Sequence, residues 1–194
     1  MLYRNKSITL MELLIALVLM GLVVLGINSI TLFSRYQLIS SERRVKLQND
    51  ISFCLDHITK RGLNTIGNES IFGNNSAVLI VPNVSLALYI DSPSSSIGIR
   101  DANDYWVKYT FNSSTHQLSY CDNCRASSAC PTCSVGTEVL SNKITAFSCT
   151  KNFTQGNFVE VKITSRWDPA ASVSVDNPEV TMHATIYLPS LSTN

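Results

Sequence analysis

Four cysteines form the densest reactive group in the sequence: Cys121-x-x-Cys124-x5-Cys130-x-x-Cys133. Two CxxC pairs can offer four thiolates to a tetrahedral zinc ion. The five-residue spacer is shorter than the usual zinc-ribbon separation, so the pattern matches a zinc site only in part. In an oxidising compartment the same residues would close disulfides instead, and free or redox-active thiols are the third option. A bond within one CxxC is often strained and redox-active, which favours pairing across the two. Disulfides are the favoured expectation and zinc the alternative, with no other cofactor implied.

Other catalytic chemistry is hard to assemble. The histidines, His57, His116 and His183, are scattered, and His57 and its neighbour Asp56 point in different directions on a helix. There is no G-x-S-x-G, no phosphate-binding loop and no H-E-x-x-H. The expectation is a chain that is not an enzyme. A formal net charge of +1 also argues against dedicated nucleic-acid binding, which normally needs a strongly basic domain. Charged residues are 15% of the 194, while hydrophobic residues are 45%, so the chain is expected to fold.

The apolar residues are concentrated at the start. Residues 13–34 form a run of 22 without a charge, long enough for one helix across a bilayer core. Arg4 and Lys6 precede it; Arg35, Arg43, Arg44 and Lys46 follow. The apolar stretch is longer than a secretory signal's and carries no A-x-A site. Glu12 stands one residue before the uncharged run, where an ionisable group is costly and points to function. No proline occurs before Pro82, so one helix is expected from about residue 8 to about 61, with Gly62 as its stop. On its distal half Leu47, Ile51, Cys54, Leu55 and Ile58 form one apolar stripe at helical spacing, which should pack on a sheet.

Beyond residue 67 the pattern changes to strand-like runs at 77–81, 85–90, 105–111, 116–120, 143–149, 158–167 and 180–188. Val159, Val161 and Ile163 alternate with Glu160, Lys162 and Thr164, the period of a half-buried strand. Asn112 to Thr115 reads as a hairpin turn. The fold class expected is α+β: a long N-terminal helix, membrane-spanning in its first half, packed on a mainly antiparallel sheet. Cys54 is on the stripe and Cys149 ends a core strand, so a disulfide between them could join helix to sheet.

Lys6-Ser7-Ile8-Thr9-Leu10-Met11-Glu12-Leu13-Leu14-Ile15-Ala16 resembles the N-terminus of type IV prepilins and type II secretion pseudopilins. In that family a basic leader ends in Gly, a hydrophobic residue, usually Phe, starts the mature chain, and Thr-Leu-hydrophobic-Glu follows. Here Ser7 replaces the Gly and Ile8 replaces the Phe. Residues 43–67, with Leu55-Asp56-His57-Ile58-Thr59-Lys60-Arg61-Gly62-Leu63, look like PilW-like minor pilins and J-type pseudopilins. Residues 140–188 resemble them loosely.

The resemblance implies a leader at 1–7, a filament-core half-helix at 8–34, an amphipathic half-helix at 35–62, and a β-rich head at 63–194 with a cysteine-rich loop at 121–133. It implies cleavage between Ser7 and Ile8 by a prepilin peptidase and N-methylation of Ile8. Glu12 would pair with a neighbouring subunit's new amine, so that neither charge is left alone in a dry filament core. The implied partners are other major and minor pilins or pseudopilins, the inner-membrane assembly platform and the membrane itself. The chain would begin as a single-pass inner-membrane protein with its head outside the cytoplasm and end in a pilus or at the cell surface. Its function would be priming or assembly of the filament, at its tip. A type II secretion pseudopilus is the near alternative, and a tip adhesin or DNA-binding module using the 121–133 loop is the distant one.

Overall fold

The computed structural model describes residues 9–65, 78–90, 105–124, 136–152 and 158–188. Ser7, Ile8, Cys130 and Cys133 lie outside these ranges, so the expected cleavage site and half of the cysteine cluster do too. The chain forms two compact units, Met1–Glu42 and Arg43–Asn194. One helix, α1, runs over Leu10–Gly62. With no proline to break it, the ladder of backbone bonds is continuous. Lys60 and Arg61 in its last turn complement the helix dipole.

In the first unit the apolar side chains of α1, among them Leu14, Val18, Leu22, Leu25 and Phe33, are exposed. This is one helix long and apolar enough to cross a membrane. Two of its hydroxyls bond back to the helix: Ser29 Oγ donates to the Leu25 carbonyl at 2.9 Å and Thr31 Oγ1 to the Ile27 carbonyl at 2.9 Å. Hydroxyls that bond back to their own helix remove the cost of presenting them to hydrocarbon.

In the second unit the distal part of α1 packs on two antiparallel sheets, the α+β architecture that the sequence predicts. The first holds β1 (Val78–Val81), β2 (Ser85–Ile90), β3 (Tyr105–Asn112), β4 (Gln117–Cys124) and β5 (Thr137–Ser141) in sequential order. The second holds β6 (Ile144–Asn152), β7 (Phe158–Arg166) and β8 (Glu179–Tyr187), also sequential. The chain leaves the first sheet at Asn142 and Lys143. The corner is tied to the helix by the Ser141 hydroxyl, which donates to the Asp50 carboxylate at 2.5 Å.

All five residues of the expected stripe are buried, and Ile51, Cys54, Leu55 and Ile58 share one core cluster with both sheets. Sheet residues in that cluster include Leu86, Val107, Tyr109, Leu118, Phe147, Val161 and Ile186. On β7, Val159, Val161 and Ile163 are buried while Glu160 and Lys162 are exposed, as the alternation predicts. The turns follow local chemistry. Asn112 Oδ1 accepts from the Ser114 and Thr115 N–H groups at 2.9 and 3.3 Å. Between β1 and β2, Pro82 precedes Asn83, whose φ of 58° and the Val84-to-Val81 bond of 3.0 Å fit a tight turn with a left-handed third residue.

Helix α1 ends at Gly62, but not because glycine is needed in a left-handed cap. Among the described residues the only glycine with positive φ is Gly136. A Cβ on Gly62 would come within 2.6 Å of Ile186 Cγ2, so glycine is there to let the helix end approach β8.

Candidate functional site

The start of α1 is built by its own side chains. Glu12 Oε2 accepts from the Thr9 N–H at 2.9 Å and from Thr9 Oγ1 at 3.0 Å, and the Glu12 N–H donates to Thr9 Oγ1 at 3.3 Å. This is a reciprocal capping box: two backbone N–H groups that the helix leaves unpaired are satisfied by Thr9 and Glu12. Thr9 was not singled out from the sequence as a cap, although Thr-x-x-Glu before an apolar run is the signal for one. Glu12 therefore has a role within its own chain as well as any role between chains.

The first pair of the cysteine cluster is on a strand, which corrects the expected loop beginning at residue 121. Cys121 lies opposite Lys108 and Cys124 opposite Trp106. Three steps along β4 thus match two along β3, which is a β-bulge. The extra residue brings both cysteines to one face, with their Sγ atoms 3.0 Å apart. Burial, followed by the adjacent Asp122 carboxylate, pushes the Cys121 thiol up. The four-thiolate zinc alternative needs Cys130 and Cys133, which are outside the described residues. Among the described residues no group of three or more metal-ligating side chains comes together.

Cys54 and Cys149 are both buried in the core cluster, but the structure holds both as thiols. The expected helix-to-sheet disulfide is not formed. Each sits as a small apolar side chain within the core cluster. Burial pushes each thiol up to about 12, with the Asp50 carboxylate adding to the effect at Cys54. Such thiols are almost wholly protonated at neutral pH and do not react as thiolates.

A polar and aromatic cluster joins the end of α1 to the first sheet. His57 Nδ1 and the Tyr109 hydroxyl are 3.0 Å apart, and the His57 ring meets Tyr120 edge-on at 4.5 Å between centroids. Arg61 donates to the Tyr120 hydroxyl at 3.0 Å and to the Asp122 carboxylate at 3.2 Å. Burial, and next the Arg61 guanidinium, holds His57 below its ordinary value. Burial pushes Tyr120 up to about 12, with Asp122 adding to it. His57 is thus a half-buried structural residue, as its isolation in the sequence suggests. The cluster fixes helix to sheet at the cysteine bulge itself, since Tyr120 adjoins Cys121 and Asp122 lies between Cys121 and Cys124.

No family model, no curated protein and no solved structure matches this chain. What the chain has is a long N-terminal helix, bare and apolar in its first part, whose distal part is packed on antiparallel sheets. That architecture is compatible with a pilin-like fold.

Proposed function

We propose that this chain is a minor pilin or pseudopilin subunit, which primes or joins the tip of a type IV pilus-like filament, and that its work is assembly rather than catalysis. The observation that supports this reading best is the division of α1. Its last part is consumed by the head's core, while its first part exposes apolar side chains along its length and starts at the Thr9–Glu12 cap. An apolar helix of this kind is stable only in lipid or among like helices.

In this reading the helix waits in the inner membrane with the head outside the cytoplasm. A prepilin peptidase cuts between Ser7 and Ile8 and methylates the new amine. Both contacts with Thr9 go to Oε2 of Glu12, so Oε1 is the oxygen offered to the amine of a neighbouring subunit. Moving the helix from lipid into the filament then exchanges one apolar surrounding for another, and the ion pair sets the register. In the oxidising compartment that this places around the head, Cys121, Cys124, Cys130 and Cys133 close into disulfides. A type II secretion pseudopilus would use the same parts.

The mature N-terminus tests the reading. Tandem mass spectrometry of protein from membranes of a host with an active prepilin peptidase should find a chain that begins at N-methylated Ile8. An intact Met1, in a host that processes its other prepilins, would remove the amine on which the assembly role of Glu12 depends.

A further inference from the structure

The loop between β7 and β8 is ordered from inside. Asn177 Nδ2 lies 3.0, 3.2 and 2.9 Å from the carbonyls of Asp168, Ala171 and Ser172, and its Oδ1 accepts from the Asp168 N–H at 2.7 Å. Asp168 Oδ1 accepts from the Ala170 N–H at 3.1 Å, and Arg166 donates to the Ala171 carbonyl at 2.9 Å. These bonds fix the backbone without help from the loop's apolar side chains. Val173 and Val175 are accordingly left 56% and 60% exposed. Exposed valines on a backbone already fixed can be buried by a partner at little ordering cost.

The base of the loop is aromatic and cationic. Lys143 Nζ is 3.7 Å and Arg43 Cζ 5.4 Å from the Trp167 ring centroid. Arg43 also donates to the Asp176 carbonyl, and the next residue, Arg44, is exposed. A tryptophan and basic groups beside an apolar tip suit the headgroup level of a bilayer, where amphipathic rings and cations are favoured. Chain connectivity keeps lipid within reach. Arg43 follows Ser34, the last residue of the uncharged run, by nine residues. That stretch covers about 14 Å as helix and no more than about 30 Å fully extended.

We propose that the loop at 168–177 is a membrane-docking element for a bilayer surface containing anionic lipid. Val173 and Val175 enter the interface, and Arg43, Arg44 and Lys143 lie near lipid phosphates. The three cations outnumber the loop's two carboxylates, of which Asp168 is engaged in capping Ala170. The proposal rests on the reading of the apolar part of α1 as membrane-spanning. Docking would hold the head against the bilayer until the subunit is drawn into a filament.

The test uses the full chain reconstituted in phosphatidylcholine vesicles containing phosphatidylglycerol, with bromine on the acyl chains below the headgroup. Tryptophan is introduced singly as Val175→Trp in the loop, Val24→Trp in the apolar run and Val139→Trp on exposed β5. Quenching is read as the difference from the parent chain, which carries Trp106 and Trp167. The expected result is quenching at positions 175 and 24 and none at 139. Quenching at 175 should fall when phosphatidylglycerol is omitted. Arg44→Gln should lower the docked-to-undocked ratio about fivefold, the equivalent of about 1 kcal/mol per basic residue near an anionic surface. Quenching at 24 with none at 175 overturns docking and leaves the span intact. No quenching at 24 overturns the span, and docking with it. Shielding of position 175 from aqueous acrylamide that grows with protein density, without quenching by lipid, would put a second copy on the loop and overturn the proposal.

Discussion

His57 shows how one side chain couples the helix to the sheet. Its ring is enclosed by Phe53, Tyr109 and Tyr120, and burial with the nearby Arg61 charge disfavours a second proton. The folded chain therefore binds a proton on His57 less readily than the unfolded chain, whose histidine titrates near 6.5. Because the unfolded state takes up the proton first, stability falls as the pH drops below about 6.5 and levels off once His57 is protonated in the fold. The stabilisation is fully present above that value. Urea unfolding of the protein in detergent should show a falling midpoint between about pH 6.5 and pH 5, a window above the ordinary carboxylate range. His57→Gln should flatten that window. An unchanged slope in the variant would assign the acid sensitivity to other groups.

At the scale of elements, the close approach of α1 to β8 decides what position 62 can hold. In an exposed helix, alanine is better than glycine by about 1 kcal/mol. Here a Cβ would meet Ile186 Cγ2 at 2.6 Å, inside the core cluster, so the packing term opposes the propensity term. Gly62→Ala should destabilise the head by about 1–3 kcal/mol, the usual cost of an inserted methyl group in a packed core. In an Ile186→Ala background the same change should be neutral or stabilising, because the clash is gone and the propensity remains. Denaturant midpoints of the four chains measure this; a stabilising Gly62→Ala in the parent would show that the helix end moves aside.

The sequence reveals elements where one face repeats. The stripe from Leu47 to Ile58 and the alternation on β7 are read correctly because burial on one side leaves a period. Strand β5 was missed because Thr137, Glu138 and Val139 are all exposed on an edge strand, which leaves no alternation to read. The continuation of β4 through Cys124 depends on a bulge, and a bulge interrupts the very period that marks a strand. The split into two sheets depends on a turn at Asn142 and Lys143 that has no glycine or proline to announce it. At the candidate site, the Thr9–Glu12 cap was legible as Thr-x-x-Glu, whereas the contact between the Cys121 and Cys124 sulfurs required the register with β3.

For the whole molecule, the consequential fact is where the buried apolar surface begins. Among the described residues the first buried hydrophobic one is Leu47, and the compact head starts at Arg43. The apolar side chains of the first unit are exposed and lie outside the core cluster, and in the proposed reading lipid or other helices cover them. A chain that begins at Arg43 should remain soluble without detergent and unfold in one cooperative step. The full chain should need detergent or a bilayer. Residues 43–62 must remain, because Ile51 and Ile58 are wholly buried against the sheets. Within the shortened chain Ile51→Ala should cost about 2–5 kcal/mol, the range for removing a buried aliphatic side chain. Starting instead at Leu63 would strip Ile51, Cys54, Leu55 and Ile58 from the cluster and leave its sheet residues open to water. That shorter chain should aggregate. Circular dichroism and size-exclusion chromatography of the two truncations separate the cases. Cooperative folding of the chain starting at Leu63 would make the helix an accessory to the head, and failure of the chain starting at Arg43 would mean that the head depends on the apolar half.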